Sequence, residues 1–80
     1  MKIMCNGEKI IIGSFVRLAN AVKYDDSMAT LELVQNAGRE DELMECLNET
    51  FDNYKFSLVE VEEYLMFEMC NEDTWADLWE

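Results

Sequence analysis

Eighty residues, half of them apolar and none a histidine, make one small single-core domain without imidazole-based catalysis or the usual transition-metal ligand sets. The net charge of −12 is divided unevenly, with +3 on residues 1–24 and −15 on residues 25–80. Solubility asks for a net charge of only about 2 to 8, and the seventeen acids of the second segment would oppose phosphate, which argues against direct binding of nucleic acid.

The first local signal is Asn6-Gly7, a pair suited to the two positive-φ positions of a type I′ turn. It predicts a hairpin of residues 2–5 and 8–12, with Cys5 facing Glu8, Met4 facing Lys9, Ile3 facing Ile10 and Lys2 facing Ile11. Ile3, Cys5, Ile10 and Ile12 then share the core side. Residues 14–23 support two readings. Phe15, Leu18, Ala19 and Val22 make a helix stripe behind Ser14 as N-cap, the favoured reading; the same run could instead pair with 28–34 around Asp25-Asp26-Ser27. Ala29, Leu31 and Leu33 alternate with Thr30 and Glu32, which predicts a strand over 28–34, with Gly38 as the stop after it.

Over 39–53 acids crowd a first turn, where the helix dipole favours them, and Leu43, Leu47, Thr50 and Phe51 recur at helical spacing. This is the main predicted helix. From 56 to 69 the pattern is again double: Val59, Val61, Leu65 and Phe67 alternate as in a strand, yet Ser57-x-x-Glu60 is a capping box. Richness in Val, Tyr and Phe favours a strand near 55–62. The tail 73–79 predicts a short helix with Trp75, Leu78 and Trp79 on one side. The sum is an α+β fold, a small antiparallel sheet with an N-terminal hairpin, packed by one main helix and a short C-terminal helix.

The chemistry-bearing residues are sparse. Cys5, Cys46 and Cys70 form no zinc-site spacing, and Cys46 and Cys70 lie among acids that disfavour a thiolate. Cys5, beside lysines, is the one thiol with any prospect of reactivity. No glycine-rich phosphate loop and no calcium-loop spacing occurs. The chain is therefore expected not to be an enzyme and to need no cofactor or metal. No signal peptide and no run of about 18 apolar residues is present, so the expected location is the cytoplasm, without a membrane contact.

What remains is carboxylate. Asp41, Glu45, Glu49 and Asp52 form an outer row on the 39–53 helix, one group every 6 Å or so. Glu60 and Glu62, with Glu63, form a second row if 55–62 is a strand. One row is sparser than the roughly one charge per 3.4 Å of a nucleic-acid strand, whereas two rows side by side approach it. Trp75 and Trp79 are read either as a clamp on the core or as an aromatic anchor on a docking surface.

In size, acidity and lack of a catalytic set, the chain resembles the small acidic inhibitors carried by phages and mobile elements: anti-CRISPR, antirestriction and uracil-glycosylase inhibitor proteins. The resemblance is of type and carries no residue-level motif. Met1 to Val22, with Asn6-Gly7-Glu8, an apolar run and a helix candidate from Ser14, is also similar to the start of barstar-type ribonuclease inhibitors; the chain departs from that pattern after residue 24. Both resemblances imply an acidic protein that blocks a basic site. The expected function is stoichiometric inhibition of a basic nucleic-acid-binding protein or nuclease complex, in the host cytoplasm if phage-encoded, through Asp41, Glu45, Glu49, Asp52, Glu60, Glu62, Glu63, Trp75 and Trp79. The alternatives are a self-associating regulatory module, a homodimer for example, and a carboxylate metal-binding protein.

Overall fold

Asn6 and Gly7 both take positive φ, 53° and 81°, and close the hairpin of β1 (Lys2–Cys5) and β2 (Glu8–Ile11) in the expected register. Ile3 and Ile12 are buried and Cys5 and Ile10 half-buried, as the alternation requires. The computed structural model describes all 80 residues. After the hairpin come α1 (Phe15–Ala21), α2 (Asp25–Asn36), α3 (Glu40–Thr50) and α4 (Leu58–Glu63). α4 runs on through a π-helical turn, Tyr64–Glu68, and a 3₁₀ turn, Met69–Asn71; a last 3₁₀ turn spans Ala76–Trp79. The architecture is α+β, with the two-stranded sheet packed by helices around one core of 17 buried apolar residues.

Ser14 caps α1 as the sequence suggests, its hydroxyl accepting the Arg17 N–H at 3.2 Å. The strand expected over 28–34 is instead the middle of α2. Its buried stripe is Ser27, Thr30, Leu31 and Val34, and the two polar members conceal the helical period. Both have partners on the facing helix: Ser27 donates to the Glu62 carbonyl at 3.5 Å, and Thr30 to the Leu65 carbonyl at 2.9 Å. Gly38, at φ 69°, ends α2 in a Schellman turn, with Gly38 N–H bonded to the Gln35 carbonyl and Arg39 N–H to the Val34 carbonyl, each at 3.0 Å.

The strand expected near 55–62 is also helix from Leu58 on. The capping box prevails over β-propensity: the Ser57 hydroxyl accepts the Glu60 N–H, and the Glu60 carboxylate accepts the Ser57 N–H. The outer edge of β1 is covered by 51–57 in irregular form, with a single parallel bridge from Met4 to Ser57. Lys2 N–H meets the Phe51 carbonyl at 2.7 Å, Tyr54 N–H the Lys2 carbonyl at 3.1 Å and Met4 N–H the Phe56 carbonyl at 2.8 Å.

Two polar clasps tie the chain together across long sequence distances. Glu62, only 1% exposed, accepts the backbone N–H of Lys23 at 2.7 Å and of Tyr24 at 3.0 Å through Oε1. It sits at the N-terminus of α2, where the helix dipole favours an anion. Arg39 grips Glu42 with Nε and Nη2 at 2.7 and 2.9 Å, donates to Asp77 at 3.1 Å and to the Thr74 carbonyl at 2.8 Å, and lies 4.3 Å from the centre of the Trp75 ring. Hydrogen bonding to Glu42 raises the Arg39 pKa and lowers that of Glu42.

Two outcomes test these clasps. Glu62→Ala strands two backbone donors and should cost about 2 to 4 kcal/mol in urea denaturation, with Glu62→Gln costing less because one acceptor oxygen survives. Arg39→Lys keeps the charge but loses the fork and the stacking; the tail should become protease-sensitive and tryptophan emission shift to the red, with far-ultraviolet dichroism little changed.

Candidate functional site

α3 presents its polar side to solvent because Leu43, Met44 and Leu47 turn into the core. All four members of its expected row, Asp41, Glu45, Glu49 and Asp52, are exposed and line one concavity of about 560 Å³. The opposing wall is Gly13, Ser14 and Phe15, at the entry to α1. Asn48, which also lines the concavity, accepts from the Met1 ammonium; that ammonium donates to the Ile12 carbonyl as well, and burial together with Lys2 lowers its pKa. No ion pair involves the row, since both ion pairs in the protein belong to Arg39.

A second concavity, of about 390 Å³, opens on the neighbouring side of α3, at Cys46 and Thr50, about 100° around the helix from the acidic row. Its floor is aromatic. Phe51 meets Phe56 edge-on at 5.4 Å and Tyr64 at 6.2 Å, and Phe56 remains 37% exposed. Its rim is Glu60, Glu63, Glu68 and Glu72. Tyr64 donates to Glu72 Oε2 at 3.0 Å and lies 3.6 Å from Cys46 Sγ. An aromatic floor ringed by carboxylates suits a guanidinium or ammonium group. Arg39 illustrates this within the chain, its guanidinium lying on the Trp75 ring between Glu42 and Asp77.

The structure therefore brings six of the nine expected residues to two adjoining acidic concavities: Asp41, Glu45, Glu49, Asp52, Glu60 and Glu63. Glu62 is not among them. Its place on the apolar stripe with Leu58, Val61 and Leu65 turns its carboxylate inward to the Lys23 and Tyr24 N–H groups just ahead of α2. Trp75, 1% exposed, is core; Trp79, 41% exposed, lines neither concavity. Sequence reasoning missed Glu68 and Glu72 and the aromatic floor. The signal was there, since Glu60, Tyr64, Glu68 and Glu72 recur every fourth residue once the segment is laid on a helix. No three acids or cysteines converge tightly enough to hold a metal ion, and no helix is long and apolar enough to cross a membrane.

Burial, with the bonds to Cys46 and Glu72, pushes the Tyr64 phenol well above its ordinary 10.0. The folded state thus favours the neutral phenol, and the stability this supplies is present below pH 10 and lost as pH rises beyond it. Melting temperature should accordingly fall above about pH 10, and the fall should be shallower in Tyr64→Phe, which keeps the ring contact with Phe51. Comparison with known protein families, with curated proteins and with solved structures finds no match to this chain.

Proposed function

We propose that this protein is a stoichiometric inhibitor that occupies the basic nucleic-acid-binding surface of a nucleic-acid-handling protein in the cytoplasm, in the manner of anti-CRISPR and antirestriction proteins. The observation that carries the reading is the pair of concavities flanking α3, ringed by eight carboxylates with no cation in ion-pair reach of any of them. An anion array left uncompensated inside its own fold gains most from a cationic partner, and such a partner is steered onto it rapidly at low salt. Two adjoining sets of four carboxylates, rather than one, support a reading in which charge density approaches that of nucleic acid. The aromatic-floored groove would take one arginine of the target, with Phe56 beneath it and Glu60 or Glu63 beside it. No catalytic step is involved; occupancy alone excludes nucleic acid.

The test is capture from a host lysate with the tagged protein, elution by a salt gradient, and measurement of nucleic-acid binding by the purified partner. Binding should be lost at one-to-one stoichiometry. Glu45→Lys/Glu49→Lys should weaken inhibition by about 10- to 100-fold with an unchanged far-ultraviolet spectrum. Full inhibition by that folded variant would sink the reading.

A further inference from the structure

The cationic first segment contributes only Gly13, Ser14 and Phe15 to the wall of the acidic face, and its backbone holds a separate feature. Met1 and Ile12 exchange two backbone bonds at 2.9 Å each. Antiparallel pairs alternate between bonded and non-bonded. Ile3/Ile10 and Cys5/Glu8 are therefore the bonded pairs of the hairpin, and the N–H and C=O of Lys9 and Ile11 point away from β1. None of these four groups has a partner elsewhere in the chain. The outer edge of β1 is covered by 51–57, whereas the outer edge of β2 is open.

That edge has a shaped flank. A concavity of about 390 Å³ runs between Ile10, Ile11 and Ile12 on one side and Arg17, Asn20 and Ala21 of α1 on the other. Ile11 is 58% exposed, Arg17 forms no ion pair, and Lys9, also without one, has its ammonium 5.2 Å from the centre of the Tyr54 ring. We infer that the β2 edge and its flanking groove form a second docking site, which takes an extended acidic segment of a partner protein as an added strand. Backbone bonds to Lys9 and Ile11 would set the register, an apolar side chain would lie against Ile11 and Ala21, and carboxylates would meet Arg17 and draw Lys9 off the Tyr54 ring. A second copy of this chain fits poorly. Its own β2 edge offers the same Lys9 and a single acid, Glu8, and nearly all its other acids lie in helices or clasped turns, so the charges are not complementary. The site is independent of the inhibitor reading.

The experiment is backbone-amide exchange by NMR on the full chain, titrated to millimolar concentration with a capped hexapeptide of alternating valine and glutamate, and separately with its valine–lysine counterpart. The acidic peptide should saturate and slow exchange at Lys9 and Ile11. Ile11→Pro, which removes one outward donor at a strand edge that tolerates proline, and the surface pair Lys9→Glu/Arg17→Glu should each weaken it about tenfold or more. Glu45→Lys/Glu49→Lys should leave it unchanged, which separates this site from the acidic face. Absence of saturation, equal binding of the valine–lysine peptide, protection elsewhere than the β2 edge, or protection of Lys9 and Ile11 by a dimer without peptide would each overturn the proposal.

Discussion

The burial of one carboxylate organises this fold. An ionised side chain taken out of water costs several kcal/mol unless its hydrogen bonds are replaced, and Glu62 recovers them from two backbone donors at the entry to α2. That single contact ties α4 to the junction where α1 hands over to α2. Ser27 and Thr30 then find the Glu62 and Leu65 carbonyls within reach, so the α2–α4 contact is polar as well as apolar. In a chain with six cations and eighteen acids, backbone N–H groups do the neutralising that a lysine or arginine would do elsewhere. Arg39 is the exception, and it secures the tail.

Much of the local structure was legible where one residue type has one mechanism. Asn-Gly dictated the turn and with it every pair of the hairpin register; Ser14 marked the start of α1, and Gly38 marked a stop, though the element before it was read as a strand and is α2. The misreadings fall where the inward face is not apolar. α2 buries a serine and a threonine, and α4 buries a glutamate, so each helical stripe was broken and a weaker two-residue alternation stood in its place. At 57–60 two signals competed. The capping box satisfies named backbone groups, whereas β-propensity records how well a residue suits a sheet, and this sheet ends at two strands.

The same distinction governs the site. The Asp41–Asp52 row was visible because α3 has an unbroken apolar side opposite it. The rim around Phe56 and Tyr64 was not, because reading 55–62 as a strand put Glu60 and Glu62 on one face and left Glu68 and Glu72 unplaced. On a helix Glu60 and Glu63 face outward and Glu62 inward. One change of period therefore both removed a residue from the candidate surface and supplied its second half. The result is a molecule with acidic concavities on α3 and a cationic, open strand edge on the hairpin.

The clasps also bear on how the chain acquires this shape. The hairpin is local and closes within microseconds. The Glu62 bonds span 38 and 39 residues, and those from Arg39 to the tail span 35 and 38. During synthesis the backbone donors of Lys23 and Tyr24 lack their partner until residue 62 has emerged, and Trp75 joins the core only when the tail folds back beside Arg39. Secondary structure can therefore come early while the core consolidates late, as the last quarter of the chain arrives, so a nascent or shortened chain would present its apolar residues to the cell's chaperones and proteases.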